Sequence, residues 1–129
     1  MKRLFISCPM RGRTDKAIKA TMEKMHRIAE AVFGETLEII QTYIEDEPPE
    51  NTQAAIWYLG ESIQMMANAD YFIGIYDPKK EFNGCIIENH VAKLYDVPQY
   101  LVNLNFVAPD VIEGRKAAKD MYHGGVLLL

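Results

Sequence analysis

Two polar segments of this chain carry side chains that could do chemistry. The first is the loop Pro9 to Asp15, within the stretch Ser-Cys-Pro-Met-Arg-Gly-Arg-Thr-Asp, and the second is Asp77 to Glu88, which contains an Asn-Gly pair. Each segment follows a short apolar run, as expected for a loop at the end of a buried strand. The first segment could hold an anion, and the second places a carboxylate beside it.

The anion hypothesis for the first segment rests on the helix predicted to follow it. Free backbone N–H groups and the helix dipole favour negative charge at a helix N-terminus. Arg11 and Arg13 add positive charge at this place. The glycine spacing matches neither a dinucleotide fingerprint nor a P-loop. The alternative interpretation is a turn whose arginines are solvated, because surface arginines are common.

Glu88 is predicted to lie in the first turn of a helix that Asn83 and Gly84 open. A carboxylate is favoured there, but the dipole contributes only about 0.3 to 1 kcal/mol. Burial can raise the pKa of a carboxyl by up to ~3 to 5 units, so burial decides the protonation state of Glu88. The alternative is a surface glutamate that stabilises the helix.

The elements that must position these segments alternate between strand and helix. Strands are predicted at Leu4 to Cys8, Leu37 to Tyr43, Tyr71 to Tyr76 and Gln99 to Leu104. The predicted helices run from an N-cap at Thr14 to a C-cap at Gly34, from near Thr52, and from Cys85 to about Tyr95. This alternation favours a doubly wound α/β fold, a mostly parallel sheet of flavodoxin or Rossmann type flanked by helices. Ligands are then expected beyond the carboxyl ends of the strands.

Apolar side chains in each predicted helix repeat at intervals of three and four, which predicts one buried face per helix. The inward positions are predicted to be Ile18, Met22, Met25, Ala29 and Val32, then Ile56, Leu59, Ile63 and Met66, then Ile87, Val91 and Leu94. In the tail, Pro109 to Tyr122 could be a helix. Val126 to Leu129 resembles a short strand that needs an apolar partner.

Composition excludes several classes of protein. The 129 residues fit a single domain, 1–129, and a net charge of −4 makes nucleic acid an unexpected partner. The two cysteines, Cys8 and Cys85, lack metal-ligand spacing and are too few for a disulfide framework. No segment has the length of a membrane span or of a signal h-region. We therefore expect a soluble, cytoplasmic protein with no membrane partner.

Several stretches resemble the nucleoside 2-deoxyribosyltransferase-like superfamily. Asp70 to Pro78 and Asn83 to Ala92 are similar to its central segment: an apolar strand ending in Tyr-x-Pro, an acidic loop, a glycine, and a Glu followed by an Ala-containing helix. Phe5 to Asp15 and Trp57 to Ser62 resemble a small, poorly characterised branch found in phages and bacteria. Met121 to Val126 resembles the ending of some transferases. The resemblance spans nearly the whole chain.

This resemblance implies that Glu88 is a nucleophile that attacks the anomeric carbon of a nucleoside or nucleotide and forms a glycosyl-enzyme intermediate. It implies no metal and no organic cofactor, and a homo-oligomer in which a neighbouring subunit completes the site. The loop acid of the family falls at Phe82 and its helix acid falls near Ser62. The nearest substitutes for the loop acid are Glu81 and Asp77, and Glu61 is adjacent to the position of the helix acid. Glu81 and Glu61 are each one residue out of register.

The first loop, with Arg11 and Gly12, resembles the phosphate-side loop of related deoxynucleotide N-hydrolases, which implies a 5′-phosphate there. The expected substrate-binding residues are Ser7, Pro9, Met10, Arg11, Gly12, Tyr76, Asp77, Asn83 and Gly84. Two alternatives stay open. One is a binding protein that holds a nucleotide or an ADP-ribose-type signal without cleaving it, which the missing aligned acids favour. The other is an assembly subunit with a vestigial pocket.

Overall fold

The chain forms one parallel sheet with helices between its strands. The computed structural model describes residues 1–42 and 44–111. The strands are β1 (Lys2–Ile6), β2 (Leu37–Ile39), β3 (Tyr71–Tyr76) and β4 (Gln99–Asn103), and the helices are α1 (Asp15–Phe33), α2 (Ala54–Met66), α3 (Asn83–Leu94) and α4 (Leu104–Val107). All strand pairs are parallel, in the order β2-β1-β3-β4. The predicted α/β fold of flavodoxin or Rossmann type is therefore confirmed.

Helices cover both faces of the sheet because successive strand side chains point to opposite sides. Leu4 of β1 belongs to one apolar cluster with Met25 of α1. Its neighbour Phe5 belongs to a second cluster with Met66 of α2 and Ala92 of α3. Hence α1 covers one face, and α2 and α3 cover the other. None of the helices in the described part of the chain is long and apolar enough to cross a membrane.

Strand β3 is central, as its continuous apolar run predicts. It pairs with β1 on one side and with β4 on the other. The connections that follow β1 and β3 therefore lead in opposite directions, towards β2 and β4 respectively. Where strand order reverses in this way, the loops diverge and leave a crevice at the carboxyl ends of the strands. The fold thus places the two polar segments at one site.

Both predicted caps of α1 are confirmed. The Thr14 side chain accepts a hydrogen bond from Ala17 N at 3.1 Å, which satisfies a free donor of the first turn. At the other end, Gly34 adopts φ +74°, and its N–H donates to Glu30 O at 2.9 Å. A left-handed residue is needed to close the helix there, which suits glycine. Helix α2 starts at Ala54, slightly later than predicted. Helix α3 starts at Asn83, two residues earlier than predicted, so Glu88 lies in its second turn and not in its first.

Several strand ends differ from the prediction. β1 ends at Ile6 and not at Cys8, and β4 ends at Asn103 because Leu104 begins α4. β2 ends at Ile39, while the strand was expected to reach Tyr43, which lies outside the described residues. The expected tail helix has one counterpart here, a helical turn at 109–111. The rest of it, and the strand predicted at 126–129, lie outside the described residues.

The predicted inward faces are partly wrong. Val32 and Ile56 are exposed, as are Ile87 and Leu94 of α3. The residues that α3 buries are Cys85, Glu88 and Ala92. The apolar pattern failed on α3 because a carboxylate with hydrogen-bond partners occupies its inner face, while apolar side chains face outwards.

Candidate functional site

A cleft of about 710 Å³ opens at the carboxyl end of the sheet. This volume lies in the usual range for small-molecule sites. Its wall is largely apolar, with Ile18 and Met22 from α1 and Tyr58 and Leu59 from α2. Its polar lining groups are Arg11, Asp15, Gln41, Thr42, Ser62, Glu81, Asn83 and Glu88. The lining thus combines both predicted polar segments with α2 and the segment after β2.

Glu88 is a buried carboxylate at this cleft, with 8% of its surface exposed. Ser7 Oγ donates a hydrogen bond to Oε1 at 2.7 Å, and Ser62 Oγ donates to Oε2. Burial raises the pKa of Glu88 above its usual range, and the hydrogen bonds from Ser62 and Ser7 oppose this shift. Each carboxylate oxygen has a further lone pair. The carboxylate is therefore held in place by two hydroxyl groups and still has free electron pairs for another atom.

Ser7 reaches Glu88 because it directly follows β1. Its backbone N–H continues the pairing with β3, donating to Ile73 O at 2.9 Å. The side chain is consequently fixed and only 1% exposed. Ser62 belongs to α2. Three separate parts of the chain therefore converge on one carboxyl group.

The two thiols beside the cleft are poor nucleophiles. Burial raises the pKa of Cys8 to about 11, although the Arg13 guanidinium opposes the shift. Burial likewise raises the pKa of Cys85 to about 12, although the Ser7 hydroxyl opposes the shift. Nucleophilic attack requires the thiolate, which is scarce at neutral pH with such values. Glu88 is therefore the better candidate nucleophile.

Arg11 joins the two predicted polar segments across the cleft. Its Nη2 donates a hydrogen bond to Glu81 O at 2.8 Å, and its guanidinium lies 5.9 Å from the centre of the Phe82 ring. The side chain is exposed and lines the cleft, as does Met10. Its remaining donors can reach a ligand from the rim.

Arg13 does not support the anion site that the sequence indicates. Its side chain is 2% exposed and forms a two-pronged ion pair with Asp110, at 2.9 and 2.8 Å. It also donates to Pro9 O at 2.7 Å and to Thr21 Oγ1 at 2.7 Å. The Arg13 guanidinium is therefore bonded within the protein, and Arg13 is not among the residues that line the cleft in the described part of the chain. Arg13 connects the loop after β1 to α1 and to the segment after α4.

The two substitute acids differ in position. Glu81 lines the cleft, whereas Glu61 is not among the residues that line it in the described part of the chain. The neighbour of Glu61, Ser62, occupies the expected position of the helix acid and contacts Glu88. Asp77 is buried and accepts hydrogen bonds from the backbone of Lys79 and Glu81, each at 3.0 Å. It shapes the loop that carries Glu81.

The other expected binding residues separate into two groups. Asn83 and Gly84 line the cleft at the start of α3. Pro9, Gly12 and Tyr76 do not line it among the described residues. Pro9 is buried, and its carbonyl accepts a hydrogen bond from Arg13. Gly12 adopts a left-handed backbone conformation at φ +71°. Tyr76 is 58% exposed.

Sequence reasoning missed the polar residues Gln41 and Thr42, which line the cleft just after β2. Their position after a predicted strand is a signal that could have found them, because ligand-binding loops of this fold follow strand ends. The predicted strand extended through both residues, which concealed this.

Comparison of the chain with protein families, curated proteins and solved structures finds no match. The firm assignment is therefore the parallel α/β fold with its four-stranded sheet. Within residues 1–42 and 44–111, no group of three or more His, Cys, Asp or Glu side chains is placed to hold a metal ion.

Proposed function

We propose that this chain binds a nucleoside or nucleotide in the cleft and that Glu88 cleaves or transfers across its N-glycosidic bond. The observation that carries the proposal is the buried Glu88 carboxyl, bonded by Ser7 and Ser62 at the carboxyl end of adjacent strands. A buried polar group of this kind costs free energy unless it is bonded, and at a ligand cleft it is a candidate for catalysis. The sequence resemblance supports the same chemistry.

The reaction proceeds in two steps. In the first step, an oxygen of Glu88 bonds to the anomeric carbon while the carbon–nitrogen bond breaks. The electron pair of the carbon–nitrogen bond leaves with the base, and the base takes a proton from an acid. Water or the nitrogen of a second base then attacks the same carbon. The bond to Glu88 breaks, its electron pair returns to the carboxylate, and the attacking group loses its proton to the conjugate base of the acid. Hydrolysis and transfer differ only in this second nucleophile.

Glu81 is the proposed proton donor, because it lines the cleft and Glu61 does not within the described residues. Arg11 is the proposed phosphate contact when the ligand is a nucleotide, since it is an exposed cation at the cleft. Tyr58 lies one helical turn before Ser62 and lines the same cleft, which suits an aromatic side chain that contacts the base.

The second candidate is a binding protein without glycosidic chemistry. Phe82 is buried at the place where the resemblance expects the loop acid, and Ser62 stands where it expects the helix acid. A site with a nucleophile and no acid would hold a nucleotide or an ADP-ribose-type signal and leave it intact.

Base release decides between the two candidates. The purified protein is incubated with deoxynucleosides and deoxynucleoside monophosphates, and free base is measured by chromatography. Glu88→Gln should abolish release and leave ligand binding largely intact, because the amide keeps the shape and loses the nucleophile. Glu61→Gln is the matched control and should retain release, whereas Glu81→Gln should lower turnover by about a hundred-fold to ten-thousand-fold. Tight binding without base release over hours would favour the binding protein.

A further inference from the structure

The pairing of β1 with β3 stops at a proline. Ser7 N–H donates to Ile73 O at 2.9 Å. In a parallel ladder, bonds of this kind recur every two residues, so residue 9 would donate next to Ile75 O. Residue 9 is Pro9, which has no N–H. The two strands therefore separate here, at the edge of the sheet where the cleft opens.

A side chain of α3 supplies the missing donor. Asn89 Nδ2 donates a hydrogen bond to Ile75 O at 2.9 Å. The backbone carbonyl of Asn89 in turn accepts from Gln99 Nε2, also at 2.9 Å. The residue directly after Glu88 is thus tied to β3 through its side chain and to β4 through its backbone.

Gly74 makes room for this arrangement. A Cβ at this position would lie 2.2 Å from Asn89 Oδ1, which is far too close for any contact. Asn89 Oδ1 is itself buried, with no hydrogen-bond partner among the described residues. An unpaired buried acceptor lowers the stability of the folded state. The amide group is needed here because its Nδ2 donates to Ile75 O, which an apolar side chain at position 89 would leave without that donor.

We propose that Asn89 is a positioning residue for Glu88: by replacing the ladder donor that Pro9 lacks, it fixes the rotation of α3. Consecutive helix residues are separated by about 100° around the axis, so anchoring one of them sets the direction of the next. With Asn89 held against β3, Glu88 faces Ser7 and Ser62. The importance of Asn89 for catalysis rests on the proposed function, whereas its effect on the geometry of Glu88 does not.

The test measures the titration of the Glu88 carboxyl by carbon NMR in the full-length protein. Asn89→Ala should shift the pKa of Glu88 towards its ordinary value, because a loosened α3 admits water and burial is the main cause of the raised pKa. Gln99→Leu removes the second tether without touching the Asn89 side chain. Gln99→Leu should cause a smaller shift of the Glu88 pKa in the same direction. This variant tests the proposal if Asn89→Ala does not fold.

Two controls separate positioning from general destabilisation. His90→Ala changes an exposed residue of the same helix. Phe33→Leu weakens the stacking of Phe33 on Tyr71 at the opposite end of the sheet. Neither should move the titration of Glu88. If Asn89→Ala and Gln99→Leu lower stability as Phe33→Leu does and leave the pKa of Glu88 unchanged, the positioning role is wrong. Absence of base release from the wild-type protein would contradict the proposed function and leave this measurement valid.

Discussion

Ser62 Oγ donates a hydrogen bond to Oε2 of Glu88 and so joins α2 to α3 at the cleft. This hydrogen bond lowers the pKa of Glu88 and so opposes burial, which raises it. In the proposed reaction, this hydrogen bond would favour the carboxylate form of Glu88 that nucleophilic attack requires.

Ser62→Ala should raise the pKa of Glu88 further, because it removes a donor that lowers this pKa. The low-pH limb of base release should then move to higher pH, since the carboxylate forms later in the titration. Ser62→Thr keeps the hydroxyl and should restore the wild-type profile. Turnover is measured against pH for both variants. Identical pH profiles for Ser62→Ala and Ser62→Thr would show that the hydroxyl does not lower the pKa of Glu88.

Arg11→Ala should weaken binding of a deoxynucleoside monophosphate by about ten-fold to a hundred-fold, as expected for a charge-assisted hydrogen bond of roughly 1.5 to 3 kcal/mol. Binding of the corresponding nucleoside should change little. Isothermal titration calorimetry measures the affinity for both ligands. The control is Arg27→Ala, which removes an exposed arginine of α1. Equal losses for the two ligands would mean that Arg11 holds the loops through Glu81 and Phe82 and does not contact phosphate.

Asp110→Asn should destabilise the protein at neutral pH by about 1 kcal/mol, because it weakens the ion pair with the buried Arg13, while solvent screens the Asp110 side chain, which is 44% exposed. The hydrogen bond from Arg13 lowers the pKa of Asp110 in the folded state. The unfolded chain then binds the proton more readily, so this stabilisation is present above the ordinary pKa of about 4 and is lost as the pH falls through the folded value.

Urea unfolding of wild type and Asp110→Asn at neutral and acidic pH checks this prediction, with the exposed Asp46→Asn as the control. The stability difference between wild type and Asp110→Asn should shrink at the acidic end. A difference that is independent of pH would contradict the ionic origin of the effect.

Cys8 and Cys85 should react slowly with a thiol reagent at pH 8 in the folded protein. Their pKa values of about 11 and about 12 leave at most roughly one thiol in a thousand as thiolate. In urea both thiols should recover an ordinary pKa near 8.5 and react at least about a hundred-fold faster. The reaction is measured by the absorbance of the coloured group that the reagent releases. Rapid labelling of the native protein would show that these thiols are more exposed than the structure indicates.

A homo-oligomer is the last prediction. The apolar residues Val126 to Leu129 motivate it from the sequence, and the structure adds the exposed side chains of Leu94 and Tyr95. Apolar surface of this kind often marks an interface. Light scattering at micromolar concentration should show at least a dimer, and deletion of the residues after Gly125 should weaken it. A monomer that the deletion leaves unchanged would refute the prediction.

Local sequence patterns predicted the elements well. The periodic apolar positions indicated alternating strands and helices, and Thr14 and Gly34 marked both ends of α1. Glu88 was singled out by its place after the Asn-Gly pair. Such features depend on nearest neighbours in the chain, through backbone geometry and capping hydrogen bonds, so a single sequence contains them.

Tertiary structure decided which candidate residues meet. Ser62 contacts Glu88 across 26 positions, and Arg13 pairs with Asp110 across 97. The sequence alone established the α/β alternation, the caps and the candidate carboxylate. The partners of Glu88, the rotation of α3 and the sequestering of Arg13 depend on strand order and helix packing, because these set distances between residues that no local pattern relates.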